Sequence, residues 1–128
     1  MSKAILINVV NQSVTEVIIN DYKEIYNVIG NGCNTFDCPY QFDNGDTLYV
    51  DDEGLLHDEV NGCFILEGWN NPVVGNAVII GTNDEGDDID CKSTIEEIKS
   101  KIKFFSSDIT SGWRNAILSN GSITITFN

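Results

Sequence analysis

The sequence predicts an α+β fold, a mostly antiparallel sheet with two helices and a C-terminal β-hairpin, on three observations. Short apolar runs rich in β-branched residues recur between turn signals. Two segments open with helix-start signatures followed by apolar residues at helical spacing. Near the end, Asn120-Gly121 stands between apolar runs, a strong short-range hairpin signal. At 128 residues, 41% hydrophobic and 21% charged, the chain is expected to form one domain with its own core.

KAILINVV (3–10) reads as a buried strand, and VTEVIIN (14–20) returns after the NQS turn to complete a first hairpin. DYKEIYNVIG (21–30) begins with an Asp21-x-x-Glu24 capping box and carries Ile25, Val28 and Ile29 as its apolar stripe. Gly30 and Asn31-Gly32 offer left-handed residues to end that helix. Pro39 makes FDCPYQF an edge strand or a bulge. DNGD (43–46) is a tight turn leading into the strand TLYVDD (47–52). DEG (52–54) turns the chain into LLHDEV, and NGCFILEGW and VVGNAVIIG are two more strands separated by the NNP turn at 70–72. VVGNAVII is apolar almost throughout, which places it centrally and covers it on both faces. The best helix is STIEEIKSKIKFF (93–105), with a Ser93-x-x-Glu96 capping box. Its apolar face is Ile95, Ile98, Ile102 and Phe105, with Lys99, Lys101 and Lys103 toward the C-terminus. WRNAILSNGSITITFN (112–128 with the preceding Gly) is the expected final hairpin.

Charge is the unusual property. Twenty acids against seven lysines and arginines give a net charge of −13. From Glu24 to Cys91 there are fifteen acids and no lysine or arginine. Such a field repels nucleic acid and anionic lipid and attracts cationic surfaces. Acidity for solubility alone is the competing account. The start, MSKAILINVV, lacks the pattern of a signal peptide, and no apolar stretch has the ~18 residues needed to cross a bilayer. A soluble, cytoplasmic protein without membrane contact is the expectation.

The stretch GTNDEGDDIDCK (81–92) tests as a calcium loop and fails. With Gly86 on the invariant sixth position, Gly81 falls on the first and Lys92 on the twelfth, where the motif needs acids. The segment around Asp51-Asp52-Glu53-Gly54 fails in the same way, with Tyr49 first and Val60 twelfth. Residues 82–92 then read as a solvated connection from strand to helix. Cysteines at 33, 38, 63 and 91 include one pair with metal-like spacing but no second knuckle, so reduced thiols are expected and no metal or cofactor. His57 is the only histidine, and with Cys63 it supplies the sole catalytic candidates; neither sits in a nucleophile signature. No phosphate-binding loop is present, because Gly30-Asn31-Gly32 follows a helix and does not open one. A non-enzyme is expected. Trp69, in the GWNNP turn, is a candidate interface anchor, with packing over the sheet edge as the alternative.

Several segments resemble one family, domain of unknown function 3846, carried by bacteria, phages and plasmids. They are TLYVDDEGLL (47–56), VVGNAVIIGTNDEG (73–86), the Ser93 helix ending in KFF, and EIYNVIGNGC, together covering roughly residues 3–105. The resemblance implies no catalytic residues. It implies an accessory protein of a phage or mobile element, with counter-defence by stoichiometric binding as its expected work. Residues 112–128 go beyond the family pattern.

Two function classes follow. In the first, a non-enzymatic inhibitor docks its acidic surface on a basic surface of a host protein that handles nucleic acid. The candidate residues are Asp51, Asp52, Glu53, Asp84, Glu85, Asp87, Asp88 and Asp90, with Trp69 as anchor. In the second, the protein captures a small nucleotide in a pocket built from Arg114, Lys92, Asn70 and Asn71, with Asn76 nearby, at the interface of a homo-oligomer if one forms. An acidic regulatory domain with no inhibitory role is the blandest alternative.

Overall fold

A computed structural model of the chain describes residues 2–21, 23–30, 36–51, 60–69 and 72–121, with backbone alone for 36–39. Among them the α+β expectation holds, with mostly antiparallel pairing, but the elements number nine strands in two sheets and three helices.

The large sheet has the order β2 (Ser13–Ile19), β1 (Ser2–Asn8), β7 (Ala77–Thr82), β4 (Asp46–Asp51), β3 (Phe36–Gln41), and β8 (Asp88–Ile89) adds to the end of β7. β1 and β2 form the first hairpin, pairing Ser2 with Ile19 and Asn8 with Ser13. β7 is the centre. It pairs antiparallel with β1 on one side and β4 on the other, and residues 77–81 are all buried. Its unbroken apolar sequence follows from that position, because a strand covered on both faces has no solvent side to alternate toward. β3 lies at the sheet edge, and its register with β4 shifts between Asp37 and Tyr40, across Cys38-Pro39, as the proline predicts. The turn between β3 and β4 closes with Phe42 N–H on the Asp46 carbonyl and Gly45 N–H on the Phe42 carbonyl. Gly45 takes φ +94°, which glycine adopts without steric penalty.

The small sheet has the order β6 (Val73–Val74), β5 (Cys63–Leu66), β9 (Ile102–Phe105). One of its faces meets the large sheet. Phe64, Leu66, Val73 and Ile102 share a core with Ile5, Ile7, Leu48 and Ile79, and Ile98 of α2 (Ile95–Lys101) joins them. On the far side of the large sheet, Ile25 and Ile29 of α1 (Lys23–Ile29) pack against Ala4, Val78 and Ile80. On the far side of the small sheet, Trp113 of α3 (Ser107–Asn120) packs with Phe105 against Val60, Cys63 and Val74. The layers therefore run α1, large sheet, small sheet with α2, α3.

Four expectations are corrected. VVGNAVIIG is not one strand: it breaks at Gly75, φ +96°, so that Val73–Val74 serves the small sheet and Ala77–Thr82 the large one. The helix expected over 93–105 ends at Lys101, and IKFF becomes β9, paired with β5 from Leu66↔Ile102 to Cys63↔Phe105. Helical spacing and strand alternation both suit that stretch, and the open edge of β5 decides between them. The helix cap is Thr94, with a complete Thr94–Glu97 box, and not Ser93. The expected C-terminal hairpin is overturned in its first arm, because residues 107–120 form α3. Gly121, φ +89°, ends that helix by donating to the Ile117 carbonyl. Asn-Gly serves helix termination as well as hairpin turns, since both need a residue at positive φ. The second arm lies outside the described residues, as do the 52–54 turn and residues 55–59.

Candidate functional site

The acidic stretch is a β-hairpin and not a connection from strand to helix. β7 turns into β8 with Gly81 opposite Ile89 and Thr82 opposite Asp88. One residue organises the turn. Asn83 accepts Glu85 N–H at 3.0 Å and Asp87 N–H at 2.9 Å on its side-chain oxygen, and its backbone carbonyl accepts Gly86 N–H. Asparagine favours such turns because its short side chain mimics a backbone acceptor. The result is a hydrogen-bonded tip on which Asp84, Glu85 and Asp87 are all exposed. The Asp88 carboxyl, though exposed, is pushed up from its ordinary value, first by partial desolvation at the sheet end and second by the neighbouring Asp87 charge.

The remaining predicted carboxylates do different work. Asp90 accepts the Lys3 backbone N–H at 2.7 Å, and Cys91 N–H donates to the Lys3 carbonyl at 2.8 Å, so this pair fastens the strand leaving the hairpin to the start of β1. Asp51 is only 8% exposed and is engaged within the protein, which removes it from a docking face. It also lies at the opposite end of β4 from Asp46, the residue that pairs with Gly81 beside the hairpin. Five strand steps put the two ends roughly 17 Å apart. The acids expected to make one continuous face are therefore split, with Asp84, Glu85, Asp87 and Asp88 at one end of the sheet and Asp51 at the other. Asp52 and Glu53 lie outside the described residues.

Trp69 is half-buried and is not the free anchor expected. Its ring meets Tyr40 edge-on at 6.3 Å, and Tyr40 meets Phe42 at 5.0 Å, so the indole closes the edge of the main core. The ring thus packs over the sheet edge.

The residues of the predicted ligand pocket are also dispersed. Lys92 donates its ammonium to the Asn44 carbonyl at 3.1 Å, at the end of β1 marked by Lys3. Arg114 instead lines a cleft of about 710 Å³ together with Val9 and Val10, past the other end of β1. Asn76 is structural, accepting Val9 N–H at 2.9 Å. Asn70 and Asn71 lie outside the described residues. In the same cleft stand Ser106, Ser107, Asp108 and Ser111 from the first half of α3, and the Arg114 Nε is buried without a hydrogen-bond partner.

Sequence reasoning missed Asp46. This carboxylate is 0% exposed and accepts Lys92 N–H at 3.0 Å on each oxygen and Ser93 N–H at 2.8 Å. Asn44 supports it from both sides, accepting Asp46 N–H at 2.9 Å and donating to the Ser93 hydroxyl at 3.0 Å. The network explains why Ser93 is no helix cap: its hydroxyl and amide are committed to the β3–β4 turn.

Among the described cysteines, Cys63 and Cys91 are free and buried. Burial pushes both thiols up; at Cys63 a hydrogen bond with Thr110 opposes it, and at Cys91 the Asp46 charge adds to it. A thiol so placed is a poor nucleophile. His57 and Cys33 lie outside the described residues. Among the described residues no group of three or more metal-ligating side chains is assembled, and no helix is long and apolar enough to cross a membrane, which says nothing of β-barrels.

Fold and surface together define an α+β protein of two stacked antiparallel sheets that presents a charged hairpin at one end and a cleft at the other. The chain belongs to the family described as Domain of unknown function (DUF3846), whose model matches residues 1–103. No curated protein and no solved structure matches the chain. The match stops before α3, so Arg114 and the serines of the cleft lie beyond it.

Proposed function

We propose that this protein works by binding and not by turnover, and that its contact is the β7–β8 hairpin, set against a cationic surface of a partner protein. The observation that carries the reading is the tip itself. Asp84, Glu85 and Asp87 are exposed together on a turn whose backbone the Asn83 side chain fixes, so three acidic side chains project from one set base before any partner arrives. Preorganised charge limits the entropy lost on docking, and it speeds encounter with an oppositely charged face. No lysine or arginine stands in the sequence between Lys23 and Lys92, and the net charge of −13 favours a negative field around the tip. In a phage or mobile element, the setting implied by the family resemblance, such a protein acts as a stoichiometric inhibitor of a host protein with a nucleic-acid-binding groove.

The test compares two variants of equal net charge in affinity capture from a bacterial lysate. One neutralises the tip (Asp84→Asn, Glu85→Gln, Asp87→Asn). The other neutralises three exposed acids elsewhere (Glu16→Gln, Glu67→Gln, Glu96→Gln). A partner held by the wild type and the control, lost by the tip variant and released by high salt supports the reading. Equal loss from both variants, or a complex indifferent to salt, overturns it.

A further inference from the structure

We propose that the cleft beside α3 is a binding site for a small ligand that carries one oxyanion group, phosphate or carboxylate, on an apolar ring or chain. The site is independent of the hairpin and lies toward the other end of β1.

Three kinds of donor meet there. The first is Arg114, a half-buried side chain in the cleft wall whose Nε–H finds no hydrogen-bond partner among the described residues. A guanidinium held there supplies positive charge and N–H donors that suit an oxyanion, and a small turn of the side chain on binding would give the Nε–H an acceptor. The second is the start of α3. Its N-cap, Ser106, makes no side-chain capping bond, so the first-turn amides lack the acceptor that an N-cap serine ordinarily supplies. The third is a pair of hydroxyls, Ser107 and Ser111. They stand one turn apart on the helix face that continues to Arg114, and all three line the cleft.

The opposite wall is mixed. Val10, 63% exposed, is its apolar surface, Val9 and Val60 lie buried behind it, and Gln12 and Asn61 line it beside them. A flat ring laid on Val10 would remove apolar area from water while its anionic group faced α3. The cleft, at about 710 Å³, falls within the range of small-molecule sites.

The charge of the ligand is limited from two directions. Asp108 also lines the cleft and offsets part of the field of Arg114 and the helix end. The protein as a whole carries −13, which opposes a polyanion. A single oxyanion fits these conditions, and a triphosphate does not.

The test titrates phenyl phosphate, benzoate and the neutral control benzyl alcohol into nitrogen-labelled protein, followed by NMR. Binding at the cleft moves the amides of Ser107, Asp108 and Ile109 and the Nε–H signal of Arg114 with one or both anions, and moves them far less with the alcohol. Response to one anion alone identifies whether the tetrahedral or the planar group is the one recognised. Arg114→Gln weakens the response at least about tenfold, the loss expected for a charge-assisted hydrogen bond. Ser111→Glu, a change at an exposed position that leaves the fold in place, does the same by repulsion. The proposal is overturned if millimolar anion leaves these signals unmoved, if both variants respond like the wild type, or if the alcohol shifts them as far.

Discussion

The carboxylate of Asp46 accepts the backbone amide of Ser93 at 2.8 Å, with both residues buried. Forty-seven positions apart in sequence, they tie the β3–β4 turn to the segment between β8 and α2. Asp46→Ala removes the acceptor and leaves the Lys92 and Ser93 amides unsatisfied. A loss of about 3 kcal/mol in urea unfolding is expected, since stranded donors and a charge-assisted bond are both involved. Asp46→Asn, which keeps one acceptor oxygen, should lose less.

Gly81 faces a backbone oxygen. A Cβ built there stands 2.5 Å from the Asp90 carbonyl and 3.0 Å from the Ile89 side chain. Gly81→Ala forces β8 away from β7 and is expected to destabilise by roughly 1–3 kcal/mol, the usual range for overpacking. Gly86→Ala meets no atom within 4 Å and is strained only by its φ of +85°, so its effect should be smaller and confined to the hairpin tip. Thermal unfolding of the two variants side by side checks the order.

Asp88 should make stability fall as pH rises through the interval between its unfolded and its raised folded titration. Its folded carboxyl is pushed up by partial desolvation and by Asp87, so the folded state holds its proton to higher pH than the unfolded chain. The stabilisation is full below the unfolded value and is lost above the folded one. Asp88→Asn should flatten that part of the pH–stability curve and raise stability at neutral pH. A variant curve parallel to the wild type would contradict this.

Cys63 and Cys91 should resist alkylation in the native protein. Both are buried and both thiols are pushed up, so little thiolate is present or accessible at mildly alkaline pH. Mass spectrometry after iodoacetamide treatment should find both unmodified until denaturant is added.

Trp113 meets Phe105 at 4.7 Å and holds α3 on the small sheet. Trp113→Ala should lose about 3 kcal/mol, the lower end for aromatic truncation because the indole is half-buried. Local hydrogen exchange in 107–120 should accelerate before the rest of the protein does.

Where the sequence was legible, one local pattern had one physical solution. The apolar run 77–81 fits only a strand covered on both faces, and Pro39 fits only an irregular edge. Where it misled, the pattern had two. IKFF satisfies a helical stripe as well as an alternating strand, and only the open edge of β5, some forty residues away, selects the strand. Asn120-Gly121 ends a helix here because the preceding fourteen residues pack Trp113 on Phe105. The candidate site was legible at its tip, since clustered acids around Asn83 and Gly86 mark an exposed turn. It was illegible at Asp46, although a signal existed. Asp46 shares the inward register of β4 with Leu48, and a carboxylate on that side must find donors within the fold. The Arg114 cleft joins α3 to the β1–β2 turn, about a hundred positions apart, and no local pattern announces such a meeting.

The central placement of β7 constrains how the chain is born. Its partner β1 emerges from the ribosome some seventy residues earlier and meets only β2 in the interval. Until residues 77–82 arrive, the inward side chains Ile5 and Ile7 lack most of their core, while the opposite face carrying Ala4 has only Ile25 and Ile29 of α1 to cover it. Closure therefore comes late and all at once, and the nascent hairpin is the form of this protein most open to chaperones or to self-association.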